Sequence, residues 1–146
     1  MTYLIRQLDL GKDLYNVHQL TIQLGYPSTL KNIKQRWEQI HQDSHYQTLV
    51  IEQDSHVIGY AGFIQEYTWE FDGGYLRIQA FVIDQAYRGK GIGKQLMAAI
   101  EQIAKEQGFK MIQLNSGNRE ERHPAHAFYQ GLGFDSYSIG FRKHLE

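Results

Sequence analysis

The run Arg88-Gly89-Lys90-Gly91-Ile92-Gly93-Lys94 constrains this chain more than any other stretch. It follows an apolar, strand-like segment (residues 78–83) and opens an amphipathic helical one (residues 96–104). The backbone must therefore pass from strand to helix through a short connection. Glycine at every second position tolerates positive φ at low steric cost and lets main chain come close to a ligand. A helix N-terminus directly behind the glycines offers unpaired N–H groups and a partial positive charge, which together make an anion site. Arg88, Lys90 and Lys94 add cationic side chains. The combination reads as a pyrophosphate cradle or, at its plainest, as a glycine turn that caps a helix and binds nothing.

Spacing separates the possible cradles. A P-loop, G-x-x-x-x-G-K-[ST], ending at Gly93-Lys94 would need glycine at Arg88 and Ser or Thr at Gln95, so it fails twice. The dinucleotide fingerprint G-x-G-x-x-G, begun at Gly89, meets Lys94 where its third glycine belongs. What remains is [Q/R]-x-x-G-x-[G/A], filled by Arg88, Gly91 and Gly93. It resembles the coenzyme A pyrophosphate loop of the GNAT superfamily of N-acetyltransferases. Ala125-His126-Ala127-Phe128-Tyr129-Gln130-Gly131-Leu132-Gly133-Phe134 resembles the second signature of that family, A-x-x-[FL]-Y-x-x-x-G-F. With Arg122 ahead of it, the stretch is similar to a sub-group carrying R-x-x-A-H-x-F-Y.

Length and composition set the outer limits. At 146 residues, 42% apolar, the chain reads as one domain, 1–146, with a real core. No apolar run approaches the roughly 18 residues of a membrane span, and no signal-peptide pattern opens the chain, so the default location is cytoplasmic. The absence of cysteine excludes disulfides, thiolate catalysis and Cys-ligated zinc. A formal charge of −1 gives no electrostatic reason to propose nucleic acid or an anionic membrane as partner. His41 and His45, and His123 and His126, could share helix faces, but neither pair stands in a zinc pattern such as H-E-x-x-H. They read as solvated or structural, and no metal is expected.

The hydrophobic pattern predicts the order β-α-α-β-β-β-α-β-α-β. A first strand covers residues 3–6. A helix opening at Asp9 or Gly11 ends near Gly25, and a second starts behind Ser28 as N-cap, with Leu30, Ile33, Trp37 and Ile40 on one stripe. Residues 47–52 and 57–65 are strand-like, the latter extending to about Trp69, and Asp72-Gly73-Gly74 signals a hairpin before a strand at residues 75–83. Behind the glycine loop come a helix stopped by Gly108, a short strand at 111–114, a polar loop at 116–122, a helix at 125–132 and a last strand at 137–145.

The resemblance implies an α/β (α+β) domain: a mixed, mostly antiparallel central sheet with a V-shaped splay, flanked by about four helices. It also implies acetyl-CoA as acetyl donor. The donor's pantetheine arm would lie along Phe81, Val82 and Ile83, and its pyrophosphate on Arg88, Gly89, Lys90, Gly91, Ile92, Gly93 and Lys94. Backbone at Phe81 would hold the developing oxyanion. Tyr129 falls at the family's general-acid position. Thiols titrate near 8.5 and tyrosine near 10, so full proton transfer is uphill by roughly 2 kcal/mol, and a strengthening hydrogen bond serves as well as donation. Asparagine commonly stands seven residues before that tyrosine; here Arg122 does, with Asn118 four residues earlier. Both are candidates for the cofactor.

Gln79 stands where many members carry an acidic residue, and an amide cannot act as a base. An alkylamine of pKa about 10.4 is neutral to roughly one part in 2,500 at pH 7, a cost of about 4.6 kcal/mol. Glu66, Glu70 and Tyr67 are candidates to take that proton, and an amine of low pKa would need none. Tyr26, Trp69, Phe71 and Tyr75 are the candidate acceptor contacts. The function implied is acetyl transfer to a primary amine of a small molecule or peptide by direct attack in a ternary complex. Gln79 sustains an alternative, a regulatory module that binds CoA or acyl-CoA with degenerate chemistry. The last strand could pair with a second subunit in a homodimer.

Overall fold

The structure, a computed structural model, describes residues 3–116 and 122–145. It consists of two compact units, Met1–Gln113 and Leu114–Glu146. Chain order is β1 (Tyr3–Gln7), α1 (Leu10–Leu24), α2 (Leu30–His41), β2 (Tyr46–Gln53), β3 (His56–Glu66), β4 (Tyr75–Ile83), a 3-10 turn (Gln85–Tyr87), α3 (Ile92–Glu106), β5 (Ile112–Leu114) and α4 (His123–Gly131). The sheet runs β1-β2-β3-β4-β5, with β1 to β4 an antiparallel meander. None of the helices among the described residues is long and apolar enough to cross a membrane.

Local chemistry sets the element ends. The Asp9 carboxylate accepts the Gly11 N–H and starts α1, and Gly25 closes it. Thr29, one residue beyond the expected Ser28, caps α2 by accepting the Asn32 N–H at 3.1 Å. Val17 and Leu20 of α1 and Ile33 and Trp37 of α2 close over Val50, Val57, Tyr60 and Val82 of the sheet. Trp37 meets Tyr60 edge to face at 5.4 Å. Helix α3 packs on β3 and β4, burying Ile92, Leu96, Met97, Ile100 and Ala104.

Two irregularities shape the middle of the sheet. Strand β3 stops at Glu66 rather than continuing to Trp69, because Glu66 pairs with Tyr75 and the eight residues between leave the sheet. The β3–β4 register then shifts: Gly62 pairs with Ala80 but Phe63 with Ile78, so Gln79 is an extra residue bulged out of β4. Farther along, β3 and β4 come so close at Gly59 that an added Cβ would stand 2.7 Å from Ile83 Cδ1 and 2.9 Å from the Val82 carbonyl oxygen. That carbonyl belongs to the sheet and has no room to yield. Gly59→Ala should lower unfolding free energy by about 2 kcal/mol in a urea titration.

The expected last strand does not form. Residues 134–145 take no regular secondary structure, and Ile139, Phe141 and Leu145 are exposed. The alternation of Tyr137, Ile139 and Phe141 suits a strand, yet a strand needs a hydrogen-bonding neighbour, and none pairs with this segment among the described residues. In the second unit, Pro124 in the first turn starts α4 two residues earlier than expected, and Phe128 and Phe134 flank Tyr129 edge to face at 5.4 and 5.9 Å.

Candidate active site

Behind β4 the chain turns through the glycine loop into α3. Gly89 and Gly91 have φ of 80° and 79°. A Cβ at either would meet nothing within 4 Å, so the backbone angle, not crowding, calls for glycine. Gly93 lies in the first turn of α3. No side chain caps that helix, and its first internal bond is Gln95 N–H to the Gly91 carbonyl at 3.2 Å. The N–H groups of Ile92, Gly93 and Lys94 thus have no acceptor within the helix. Such a helix start is of a kind that suits an anion.

The approach to the loop is braced from both sides. Asp84 accepts the Ala86 N–H, and Gln23 of α1 accepts the Gln85 N–H at 2.9 Å. Arg88 donates its Nε–H to the Ile83 carbonyl at 3.0 Å, so this cation ties the loop to the end of β4. Lys90 lies with its ammonium 5.4 Å from the Tyr87 ring centre, and Lys94 is exposed. Upstream, Val82 and Ile83 are buried and Phe81 is half-buried.

Glu66 and Tyr75, expected as base and acceptor contact, meet each other instead. The Tyr75 hydroxyl donates to Glu66 Oε2 at 2.6 Å, and Arg77 Nε donates to both carboxylate oxygens at 3.2 and 3.3 Å. Arg77 also reaches the Tyr75 hydroxyl at 3.0 Å and Gln113 at 3.3 Å. The Glu66 carboxylate raises the Tyr75 hydroxyl above its ordinary pKa, and partial burial adds to the rise. Tyr67, Trp69, Glu70 and Phe71 are exposed on the connection, with Trp69 fully so. Arg77 has no counterpart among the residues singled out in the sequence. Its signal was slight, a lone cation two residues from Tyr75 on a strand apolar but for Gln79.

A cavity of about 210 Å³ opens between α1, α2 and the middle of the sheet. Thr21, Tyr26, Arg36, Trp37, Tyr60 and Gln79 are among its lining residues, and none of the lining side chains is a carboxylate. Of the expected acceptor contacts only Tyr26 lines it. Trp37 is 5% exposed and its indole N–H has no hydrogen-bond partner among the described residues. Such a donor costs about 1–3 kcal/mol when left unsatisfied. The Tyr60 hydroxyl lies 2.7 Å from Thr21 Oγ1, whose own proton goes to the Val17 carbonyl. Burial raises the Tyr60 pKa, against the Thr21 bond and the positive charge of Arg36. In the sequence, Trp37 read only as part of the apolar stripe of α2.

In the second unit Tyr129 is 8% exposed. Burial raises its hydroxyl pKa, and the charge of Arg122 offsets a part of the rise. Arg122 is half-buried and donates to Ser116 Oγ at 3.4 Å. Asn118 lies outside the described residues.

Comparison with known proteins assigns the fold and its loop to a family. The model of the acetyltransferase (GNAT) family matches residues 12–134, across both units. A GNAT family acetyltransferase from Staphylococcus aureus is 32% identical, with a TM-score of 0.83 over 99% of this chain and 100% of that one. An aminoglycoside N-acetyltransferase in complex with CoA shares the fold at 22% identity, with a TM-score of 0.81 over 99% of this chain and 96% of that one. N-acetyltransferase family 8 member 2 of Rattus norvegicus is 32% identical over 73 residues, 48% of this chain. The match spans 31% of that relative's length. The chain belongs to the acetyltransferase (GNAT) family.

Proposed function

We propose that this GNAT acetyltransferase transfers the acetyl group of acetyl-CoA to a primary amine by direct attack in a ternary complex, and that residues 1–146 act as one domain. The observation that carries the reading is the uncapped start of α3 behind two positive-φ glycines. Backbone N–H groups there, with Lys90 and Lys94, suit a pyrophosphate in both charge and geometry. The CoA held by the structurally similar aminoglycoside enzyme supports the same choice of donor.

Acetyl-CoA supplies an acyl group activated as a thioester. Backbone of Gly89 to Lys94 binds its pyrophosphate, with Arg88 bracing the loop from Ile83. Backbone at Phe81, Val82 and Ile83 orients the arm, and the Phe81 N–H holds the carbonyl oxygen as charge builds on it. Tyr129 gives a hydrogen bond to the departing sulfur. Its raised pKa makes it a stronger holder of its proton than free tyrosine, which favours a hydrogen bond over complete donation. Asn118 and Arg122 are the further candidates to contact the cofactor. Glu66 would have to release Tyr75 or Arg77 to accept the amine's proton directly, so it acts through water.

Two measurements test this. Isothermal titration should show acetyl-CoA binding weakened about tenfold in Gly91→Ala, because a Cβ at φ 79° strains the loop by about 1 kcal/mol or more. Unchanged affinity would remove the loop from the donor site. Release of free thiol from acetyl-CoA, followed across an amine panel, should reveal steady turnover. Tight binding of acetyl-CoA with no turnover of any amine would instead make the chain a CoA-binding regulatory module.

A further inference from the structure

The cavity over the sheet has a chemistry of its own. Deep in it stand Trp37, Tyr60 and Phe63, all buried; at its rim Arg36 and Tyr26 are exposed. At about 210 Å³ it exceeds the roughly 150 Å³ of an engineered apolar cavity that admits benzene, so an aromatic side chain fits with room to spare. Two of its donors stand without acceptors among the described residues: the buried Trp37 N–H has no partner, and Arg36 forms no ion pair. Gln79 and Ala80, at the β4 bulge, form part of the wall, so the cavity abuts the strand that carries Phe81. A polycationic amine would find only a cation there and no carboxylate to meet it.

We infer that this cavity is the acceptor site, and that its substrate is the α-amine of an aminoacyl amide, the N-terminal residue of a peptide, with a bulky apolar side chain. This rests on the acetyl-transfer reading above. The side chain packs against the wall formed by Trp37, Tyr60 and Phe63, the carbonyl next to the amine accepts the Trp37 N–H, and the rest of the peptide leaves past Arg36 and Tyr26. The missing base then has a physical explanation. An α-amine with pKa near 7.8 is neutral to roughly one part in seven at pH 7, against one in 2,500 for an alkylamine of pKa near 10.4. Water suffices as the immediate acceptor of the proton, so Glu66 need not release Tyr75 or Arg77, and a glutamine at the bulge is no defect. In the transfer the amine nitrogen bonds to the acyl carbon, the C–S bond breaks, the amine loses one proton to water and the sulfur leaves as the CoA thiol or thiolate.

Phenylalaninamide, alaninamide, phenethylamine and spermidine, each with acetyl-CoA and the full chain, provide the test by thiol release. Phenylalaninamide should exceed alaninamide about tenfold in kcat/KM, and phenethylamine by about a hundredfold at pH 7. The second gap should narrow towards pH 10 as phenethylamine loses its proton. Trp37→Phe keeps an aromatic ring and removes the N–H; it should cost phenylalaninamide about tenfold more than it costs phenethylamine. Spermidine or phenethylamine as the better substrate at pH 7, or equal losses in Trp37→Phe, would overturn the assignment while acetyl transfer stands. If no amine turns over, Trp37 fluorescence decides, read in a Trp69→Phe background that leaves Trp37 the sole tryptophan. A saturable change with phenylalaninamide but not with phenethylamine upholds the cavity's ligand and sinks the transfer reading. No change with either overturns the cavity assignment.

Discussion

Tyr129→Phe is expected to lower kcat about 10²-fold, with KM for acetyl-CoA altered less than twofold, in a thiol-release assay with any amine that turns over. The substitution is narrow. It keeps the ring that sits edge to face between Phe128 and Phe134 and removes only the hydroxyl. A residue present for packing alone would therefore give unchanged kcat. A hydrogen bond that strengthens as negative charge gathers on sulfur acts in the transition state and hardly in the ground state, so the loss falls on kcat and spares binding. Because burial holds the hydroxyl above its ordinary pKa, it keeps its proton to higher pH than a free tyrosine does. The wild-type rate should fall only in stronger alkali than free tyrosine would allow, and the variant should lack this limb.

The sequence made the glycine loop and its helix legible because their conformation is local. Gly89 and Gly91 adopt the positive φ that their spacing suggested, and α3 begins at the second of them. Strand β4 occupies the residues expected, and Asp9 and Gly25 bound α1 as read. Each of these depends on the properties of a few consecutive residues. The bulge at Gln79 does not. It arises from pairing with β3, and no feature of residues 75–83 taken alone marks it.

The cavity proposed for the acceptor was harder to read for the same reason. Aromatic residues at 69, 71 and 75 suggested a binding surface, but β3 leaves the sheet at Glu66, and the connection holds Trp69 in solvent. Tyr75 turns its hydroxyl to Glu66, a pairing fixed by cross-strand register. The cavity draws on α1, α2 and three strands, and its chief donor, Trp37, carries the pattern of an ordinary core residue. Residues 137–145 show the converse error, strand periodicity without a neighbour to pair with.

Replacing Asp13 by Asn should lower unfolding free energy by about 3 kcal/mol at pH 7, measured by urea denaturation. Asp13 is 2% exposed at the start of α1. Both of its oxygens accept from Arg6, at 2.8 and 2.9 Å, and the Asp9 N–H adds a third bond at 2.8 Å. Arg6 in turn donates to Glu52 of β2 at 3.0 Å, so one guanidinium joins β1, β2 and α1. The asparagine fits the space but brings N–H groups where Arg6 presents donors, leaving a half-buried cation short of a partner. Burial alone would raise the Asp13 pKa, but the bonds from Arg6 and Asp9 outweigh it and hold the carboxyl below its ordinary value. Its contribution is therefore complete above about pH 4 and lost as pH falls through the lower, folded-state pKa. The gap between wild type and Asp13→Asn should stay constant from pH 5 to 8 and shrink in stronger acid; a gap that persists undiminished there would assign the loss to packing instead. Helix α1 also carries Thr21 and Leu24 to the cavity, so a loosened N-terminus should raise KM for the acceptor before it affects acetyl-CoA.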